Sequence, residues 1–217
     1  MYSMLVIGLG RFGANLAQRL AELGNEVMVI DRDESAVDPV APLVTASQIG
    51  DCMDIDVLRE IGADNFDVCF VCISDDFQAS MEITSLLKEL GAPLVVAKAD
   101  RAIHARLLHK IGADDVIYPE RDMAQRTAVR YSTNGALEYV ELTEDYAIFE
   151  MPMPDAWVGK TPRELELRRK FRISIIGLME EKQVVPFSDP DYVFRTGERI
   201  LAAGSRSDMT KLMRLFQ

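Results

Sequence analysis

Residues 4–31, MLVIGLGRFGANLAQRLAELGNEVMVID, constrain the fold more than any other part of the chain. An apolar run from Met4 to Ile7 enters a turn with glycines at positions 8, 10 and 13. A helix-period segment follows, and a second apolar run, Val27 to Ile30, ends on Asp31. Strand, glycine turn, helix and strand in that order describe a βαβ unit. Gly8 permits the tight turn out of the strand, Gly10 lets a pyrophosphate approach the backbone, and Gly13 lets the helix pack closely on the strand. Free N–H groups and the dipole at the helix start attract phosphate. Asp31, about 20 residues on, accepts both hydroxyls of a ribose. The segment predicts a domain that binds an adenine nucleotide.

The alternation continues to residue 118. Strands are expected over 4–8, 27–31, 43–48, 67–73, 93–98 and 115–118, and helices near 12–23, 54–61, 77–90 and 101–111. The strand runs are nearly continuous Val, Ile and Leu, which means burial on both faces and a parallel sheet covered by helices. The reading is an α/β, Rossmann-like doubly wound sheet with ligands at the carboxyl ends of its strands. Ile61-Gly62-Ala63-Asp64 recurs as Ile111-Gly112-Ala113-Asp114, a glycine helix stop used twice rather than a duplicated site. A helix from Glu120 to Tyr131 leads out of the sheet, and Ser132-Thr133-Asn134-Gly135 breaks the pattern. Beyond it, alternating runs at 137–142, 147–151, 173–179 and 199–203 mix with short helices at 161–169 and 207–215, a small α+β domain. The division is therefore 1–134, nucleotide domain with its outgoing helix, and 135–217.

A net charge of −11 argues against nucleic acid, which demands a basic footprint. Residues 1–134 carry 12 Lys+Arg against 21 Asp+Glu, hence −9, and residues 135–217 carry 12 against 14, hence −2. No apolar stretch approaches the ~20 residues of a membrane helix, and Met1 leads straight into the first strand without room for a signal peptide. These features predict a soluble, cytosolic protein that serves a membrane only through a partner. Cys69 and Cys72 lie three apart in DVCFVCIS, an apolar strand run whose side chains alternate in direction. Buried structural thiols are expected there, not a redox pair or metal site. His104 and His109, five apart, would stand about 140° apart on one helix and read as partly exposed helix residues.

The motifs VIGLGRFG (6–13), VID (29–31), GD (50–51), AKA (97–99), IGADDVIYPERDMA (111–124) and WVGKTPREL (157–165) resemble those of KtrA/TrkA-type RCK proteins, the regulators of potassium conductance. The YPERDMA segment is far more selective than the glycine motif. The resemblance implies an N-terminal RCK nucleotide domain followed by a C-terminal RCK domain. It also implies a cytosolic regulatory, gating subunit of a bacterial potassium uptake system, at the inner face of the membrane. In that family the N-terminal domains dimerise and stack into an octameric ring, a homo-oligomer seated against the membrane potassium-translocating subunit, and nucleotide exchange changes the ring's shape.

Carried over residue by residue, the resemblance implies that the backbone of Gly10, Arg11 and Phe12 cradles the phosphates of ATP or ADP, or of NAD(H), while Asp31 holds the ribose. Asp51 meets the adenine amino group with Cys52 beside it. Arg11 and Lys98 supply the positive charge that a triphosphate needs. Glu120 approaches the γ-phosphate region of a neighbouring subunit, where a divalent or monovalent cation is shared between carboxylates and phosphate oxygens. Arg32 suggests a 2′-phosphate partner, but Asp31 would repel that phosphate, so NADP is not expected. In some relatives the paired C-terminal domains bind cyclic di-AMP; the matching positions are Arg169, Phe171, Ile175, Ile176 and Pro186, while the usual asparagine-like residue before the Ile pair is replaced by Ser174 or absent.

Two other readings use the same residues. An NAD-dependent oxidoreductase would need an acid–base His or Lys with a carboxylate orienter, and the sequence presents no such constellation, so no enzymatic activity is expected. A nucleotide sensor serving a different cation transporter would have the same N-terminal domain.

Overall fold

Uninterrupted apolar runs separated by helix-period segments place every strand of the first sheet parallel to its neighbours. The computed structural model describes residues 1–132, 138–143, 145–180, 183–187 and 189–214. These residues form two compact units, Met1–Arg121 and, in the remainder of the chain, Asp122–Gln217. The expected boundary between 134 and 135 lies outside the described residues, as do Thr133, Asn134 and Gly135 of the predicted break.

In the first unit the strands are β1 (Ser3–Ile7), β2 (Glu26–Asp31), β3 (Ala46–Ile49), β4 (Val68–Val71), β5 (Val95–Lys98) and β6 (Asp115–Ile117). They pair in the order β3-β2-β1-β4-β5-β6, all in parallel. This is a doubly wound sheet whose strand order reverses between β1 and β4, and the crevice for a ligand opens at that point. The helices are α1 (Arg11–Glu22), α2 (Glu34–Val37), α3 (Ile55–Glu60), α4 (Phe77–Glu89) and α5 (Ala102–Lys110); α6 (Pro119–Ser132) begins at the end of this unit and belongs from Asp122 on to the second.

Strand alternation sorts the core into two layers. Leu5, Ile7, Cys69 and Val71 pack with Leu58, Ile83, Leu87 and Leu108 of α3, α4 and α5. Val6, Val27, Val29 and Cys72 pack on the other face with Ala17 of α1 and Val37 of α2. Each fully buried Leu or Ile contributes roughly 1.5–3 kcal/mol. Cys69 and Cys72 thus sit on opposite faces of the sheet, free and buried, as strand geometry requires.

Two expectations for this unit need correction. β3 is not buried on both faces: it is the sheet's edge, and Ala46, Ser47 and Ile49 are exposed. It also starts later than residue 43, because Ala41–Leu43 form a 3-10 turn. The short α2, unexpected from the sequence, is nucleated by Asp33, whose side chain accepts from the N–H of Ser35. The repeated glycines behave as helix stops: Gly62 and Gly112 have φ of +66° and +112°.

The second unit is an antiparallel sheet in the order β10-β9-β11-β8-β7. Its strands are β7 (Glu138–Glu141), β8 (Tyr146–Pro152), β9 (Ser174–Glu180), β10 (Gln183–Pro186) and β11 (Arg199–Ser205). Ala147, Phe149, Met151, Ile200 and Ala202 point to one side, where Trp157, Phe194, Met209 and Leu212 complete the core. The single helix expected over 161–169 is two: α7 (Pro162–Leu165) and α8 (Leu167–Lys170), divided at Glu166 with φ +49°. Leu165 and Leu167 are both buried, yet residues two apart on one helix point about 200° apart. The left-handed break turns both to the same core. The last helix, α9, spans Arg206–Arg214.

Candidate nucleotide site

The β1–α1 turn shows what each glycine does. Gly8 has φ +90°, and a Cβ on it would meet Ile73 Cγ1 at 2.8 Å. A Cβ on Gly13 would fall 1.9 Å from the carbonyl oxygen of Gly8, so helix and strand approach as closely as backbones can. Gly10 differs: a Cβ there would meet nothing within 4 Å. It is the N-cap of α1, no side chain caps the helix, and the first turn carries no acidic residue. The early N–H groups of α1 therefore face open space, the arrangement a phosphate fits.

That space is a cavity of about 820 Å³ at the carboxyl ends of β1, β2, β4 and β5. Gly8, Gly10, Arg11, Phe12, Asp31, Arg32, Asp51, Cys52, Lys98 and Glu120 all line it. Gly13 does not; it is buried behind the wall, acting through the contact with Gly8. The loop Ser74-Asp75-Asp76 after β4 also lines it and was missed in the sequence. Its position directly after a buried strand, at the sheet's ligand edge, was the available signal.

Asp31 ends β2 with both oxygens engaged. Oδ2 accepts from the N–H of Leu9 at 2.6 Å and Oδ1 from that of Asp33 at 3.0 Å. The carboxylate is thus fixed against the glycine turn, with acceptor capacity left for ribose hydroxyls. Asp51 is exposed at the mouth and accepts from the N–H of Met53 at 3.0 Å. Beside it, burial, helped by the charges of Asp51 and Asp31, pushes the Cys52 thiol up to about 12; Cys69 and Cys72 are raised to about 12 by burial too. Burial thus disfavours the thiolate form of all three.

Lys98 is 7% exposed at the end of β5. Its Nζ donates to Ser74 Oγ at 3.1 Å, lies 2.9 Å from Glu120 Oε1, and stands 5.9 Å from the centre of the Phe12 ring. A buried ammonium without a partner would be costly, and Glu120, at the start of α6, supplies one. Hydrogen bonding from Lys98 holds the Glu120 carboxyl below its usual range, while the neighbouring charge of Asp100 works against that. The cavity wall holds six carboxylates, of Asp31, Asp33, Asp51, Asp75, Asp76 and Glu120, against the three cations Arg11, Arg32 and Lys98.

A second pairing that the sequence reading missed is His104 Nδ1 with Asp100 Oδ1, one helical turn apart. The imidazole is partly exposed, as expected, stacks on Phe77 with ring centres 3.7 Å apart, and does not line the cavity. His109 Nδ1 lies 3.3 Å from the Ala113 carbonyl. Among the described residues, no group of three or more His, Cys, Asp or Glu is placed to hold a metal ion.

Of the five positions in the second unit, Ile175 and Ile176 on β9 lie beside Pro186 on the paired strand β10. Phe171 and Ile175 pack against the core, Ile176 and Pro186 are exposed, and exposed Arg169 pairs with Glu166 at 3.1 Å.

A Rossmann-type unit followed by a small antiparallel unit is the class that this fold defines. Residues 4–119 match the TrkA-N domain and residues 146–217 the TrkA-C domain, and the chain belongs to this RCK family of potassium-uptake proteins. It is 37% identical over 206 residues to Ktr system potassium uptake protein C of Bacillus subtilis (strain 168), covering 95% of this chain and 93% of that one. It is 32% identical to Ktr system potassium uptake protein A of the same organism, with the same coverage. Among solved structures, the GsuK channel bound to NAD superposes with a TM-score of 0.70 at 18% identity, over 100% of this chain and 39% of that one. GsuK bound to ADP superposes with a TM-score of 0.53 at 15% identity, over 59% and 34%. The chain spans well under half of those channel chains, and the likeness to them is one of fold. No helix among the described residues is long and apolar enough to cross a membrane.

Proposed function

We propose that this protein is a cytosolic regulatory subunit of a potassium uptake system, one that binds an adenine nucleotide and passes nucleotide state to a membrane potassium-translocating subunit. The observation that carries the reading is the uncapped start of α1, open above Gly10 and facing the same cavity as the fixed carboxylate of Asp31. Phosphates lie on the α1 N-terminus, the ribose on Asp31 and the adenine toward Asp51 and Cys52. The relatives' names, Ktr system potassium uptake proteins over 93% of their length, support placing the whole chain in such a system.

The ligand is ATP or ADP, with NAD(H) as the alternative that shares the ribose and pyrophosphate contacts. Six carboxylates against three cations repel a triphosphate unless a cation comes with it. A hard cation near Glu120 then takes oxygen ligands from the nucleotide and from a second copy of the chain, in a ring of paired subunits that is octameric. The protein is a switch and not an enzyme.

The test is thermal stabilisation of the purified protein by ATP, ADP, NADH and cyclic di-AMP, with its mass in solution. A ligand at a hundred times its Kd stabilises by about 2.7 kcal/mol. A melting temperature that no adenine nucleotide raises refutes the reading. A rise with cyclic di-AMP alone moves the ligand site to the second unit.

A further inference from the structure

Lys98 and Glu120 are unequal partners. The ammonium is almost wholly buried and lines the cavity, whereas the Glu120 side chain is 62% exposed, on the second residue of α6. Lys98 cannot leave; Glu120 can swing into water at little cost. The ammonium also stands beside the Phe12 ring, on the helical turn whose N–H groups are uncapped. An anion drawn to that turn therefore meets a cation already neutralised by a carboxylate of the same chain.

From this geometry we infer that Glu120 is an internal competitor for the ligand's phosphate: within one subunit it occupies, on Lys98, the place that a nucleotide phosphate takes. Phosphate binding and the release of Glu120 are then one event, and the start of α6 loses its tie to β5 only when the phosphate end of the cavity is filled. By linkage, whatever stabilises released Glu120, a cation on its carboxylate included, raises phosphate affinity by the same factor. This rests on the nucleotide reading above, but its sign differs from that of a direct contact. A residue that helps to hold phosphate weakens binding when removed; a competitor strengthens it.

The experiment is calorimetry of ADP and of adenosine in chelator, without divalent cation, on the wild type, Glu120→Gln, Lys98→Met and the double variant. Glu120→Gln should bind ADP about fivefold more tightly, the scale of one partly exposed ion pair, with adenosine affinity unchanged. In the Lys98→Met background the gain should disappear, which separates competition from general relief of negative charge. Weaker or unchanged ADP binding in Glu120→Gln, or a gain that survives Lys98→Met, overturns the inference. If the wild type binds neither ADP nor adenosine, the nucleotide reading itself fails, and this inference with it.

Discussion

Replacing Asp31 with alanine tests the cavity by two readouts that separate. The carboxylate accepts two backbone N–H groups, from Leu9 at 2.6 Å and Asp33 at 3.0 Å. It therefore braces the glycine turn as well as offering acceptors to a ligand. Hydrogen bonds to charged groups contribute about 1.5–3 kcal/mol when buried; the side chain is half-buried, so water replaces part of the loss. We expect Asp31→Ala to cost about 2 kcal/mol of stability, a fall of roughly 5–10 °C in Tm for a unit of this size. Nucleotide loses its ribose contacts besides, a further 2–3 kcal/mol or so, which weakens binding by roughly 30- to 150-fold. Calorimetry with ATP and ADP, on protein shown by melting to be folded at the assay temperature, measures the second term apart from the first. A lower Tm with unchanged affinity for both nucleotides would show that Asp31 is only a brace. An unchanged Tm would refute the backbone contacts on which the magnitude rests.

Arg11→Ala should weaken ATP more than ADP, since the longer phosphate chain has more charge to lose; an unchanged affinity ratio by calorimetry places Arg11 outside the phosphate site. All three cysteines should resist a thiol reagent at pH 8 in the folded protein and react on unfolding, because burial raises each thiol to about 12; rapid native labelling contradicts that burial. Hydrogen bonding from Lys88, at 2.9 Å, and from the Val95 N–H holds the Asp114 carboxyl below its usual range. Its stabilisation is present above the unfolded value of about 3.9 and lost as pH falls through the folded one. Asp114→Asn should therefore lower Tm at pH 7, and its deficit against wild type should shrink below about pH 4.

The first unit was legible because each of its main strands and helices carries its own local signal, and tertiary packing agrees with it. The exceptions have local causes. Ser47 and Gln48 interrupt what reads as a buried strand, and β3 is the sheet edge. In the second unit the apolar pattern around Leu165 and Leu167 reads as one amphipathic helix. Only the shared core behind both residues requires the break at Glu166. β10 is exposed at each of its four residues, so it had no buried face to announce it. The Lys98–Glu120 pair was out of reach for another reason. Both residues stood out singly as ligands of phosphate or cation, but their contact depends on β5 and the start of α6 meeting at the same edge of the cavity.

The glycine motif itself divides into a part that reports fold and a part that reports function. Gly8 and Gly13 are demanded by the protein alone: one holds a left-handed backbone against Ile73, and the other leaves no room for a methyl group against the Gly8 carbonyl. Any chain with this turn would need them, whether or not it bound anything. Gly10 is the informative one. With φ −58° and nothing within 4 Å of a Cβ, the folded chain gives no reason for a glycine there, so the reason lies in what approaches from outside. Gly10→Ala should accordingly leave Tm unchanged or slightly raised, because alanine costs less backbone entropy than glycine. It should also weaken binding of a ligand whose phosphates rest on that backbone, whereas Gly13→Ala should destabilise the fold itself. If Gly10→Ala binds ADP as the wild type does, the phosphates do not lie over α1, and the motif in this protein is a packing device alone.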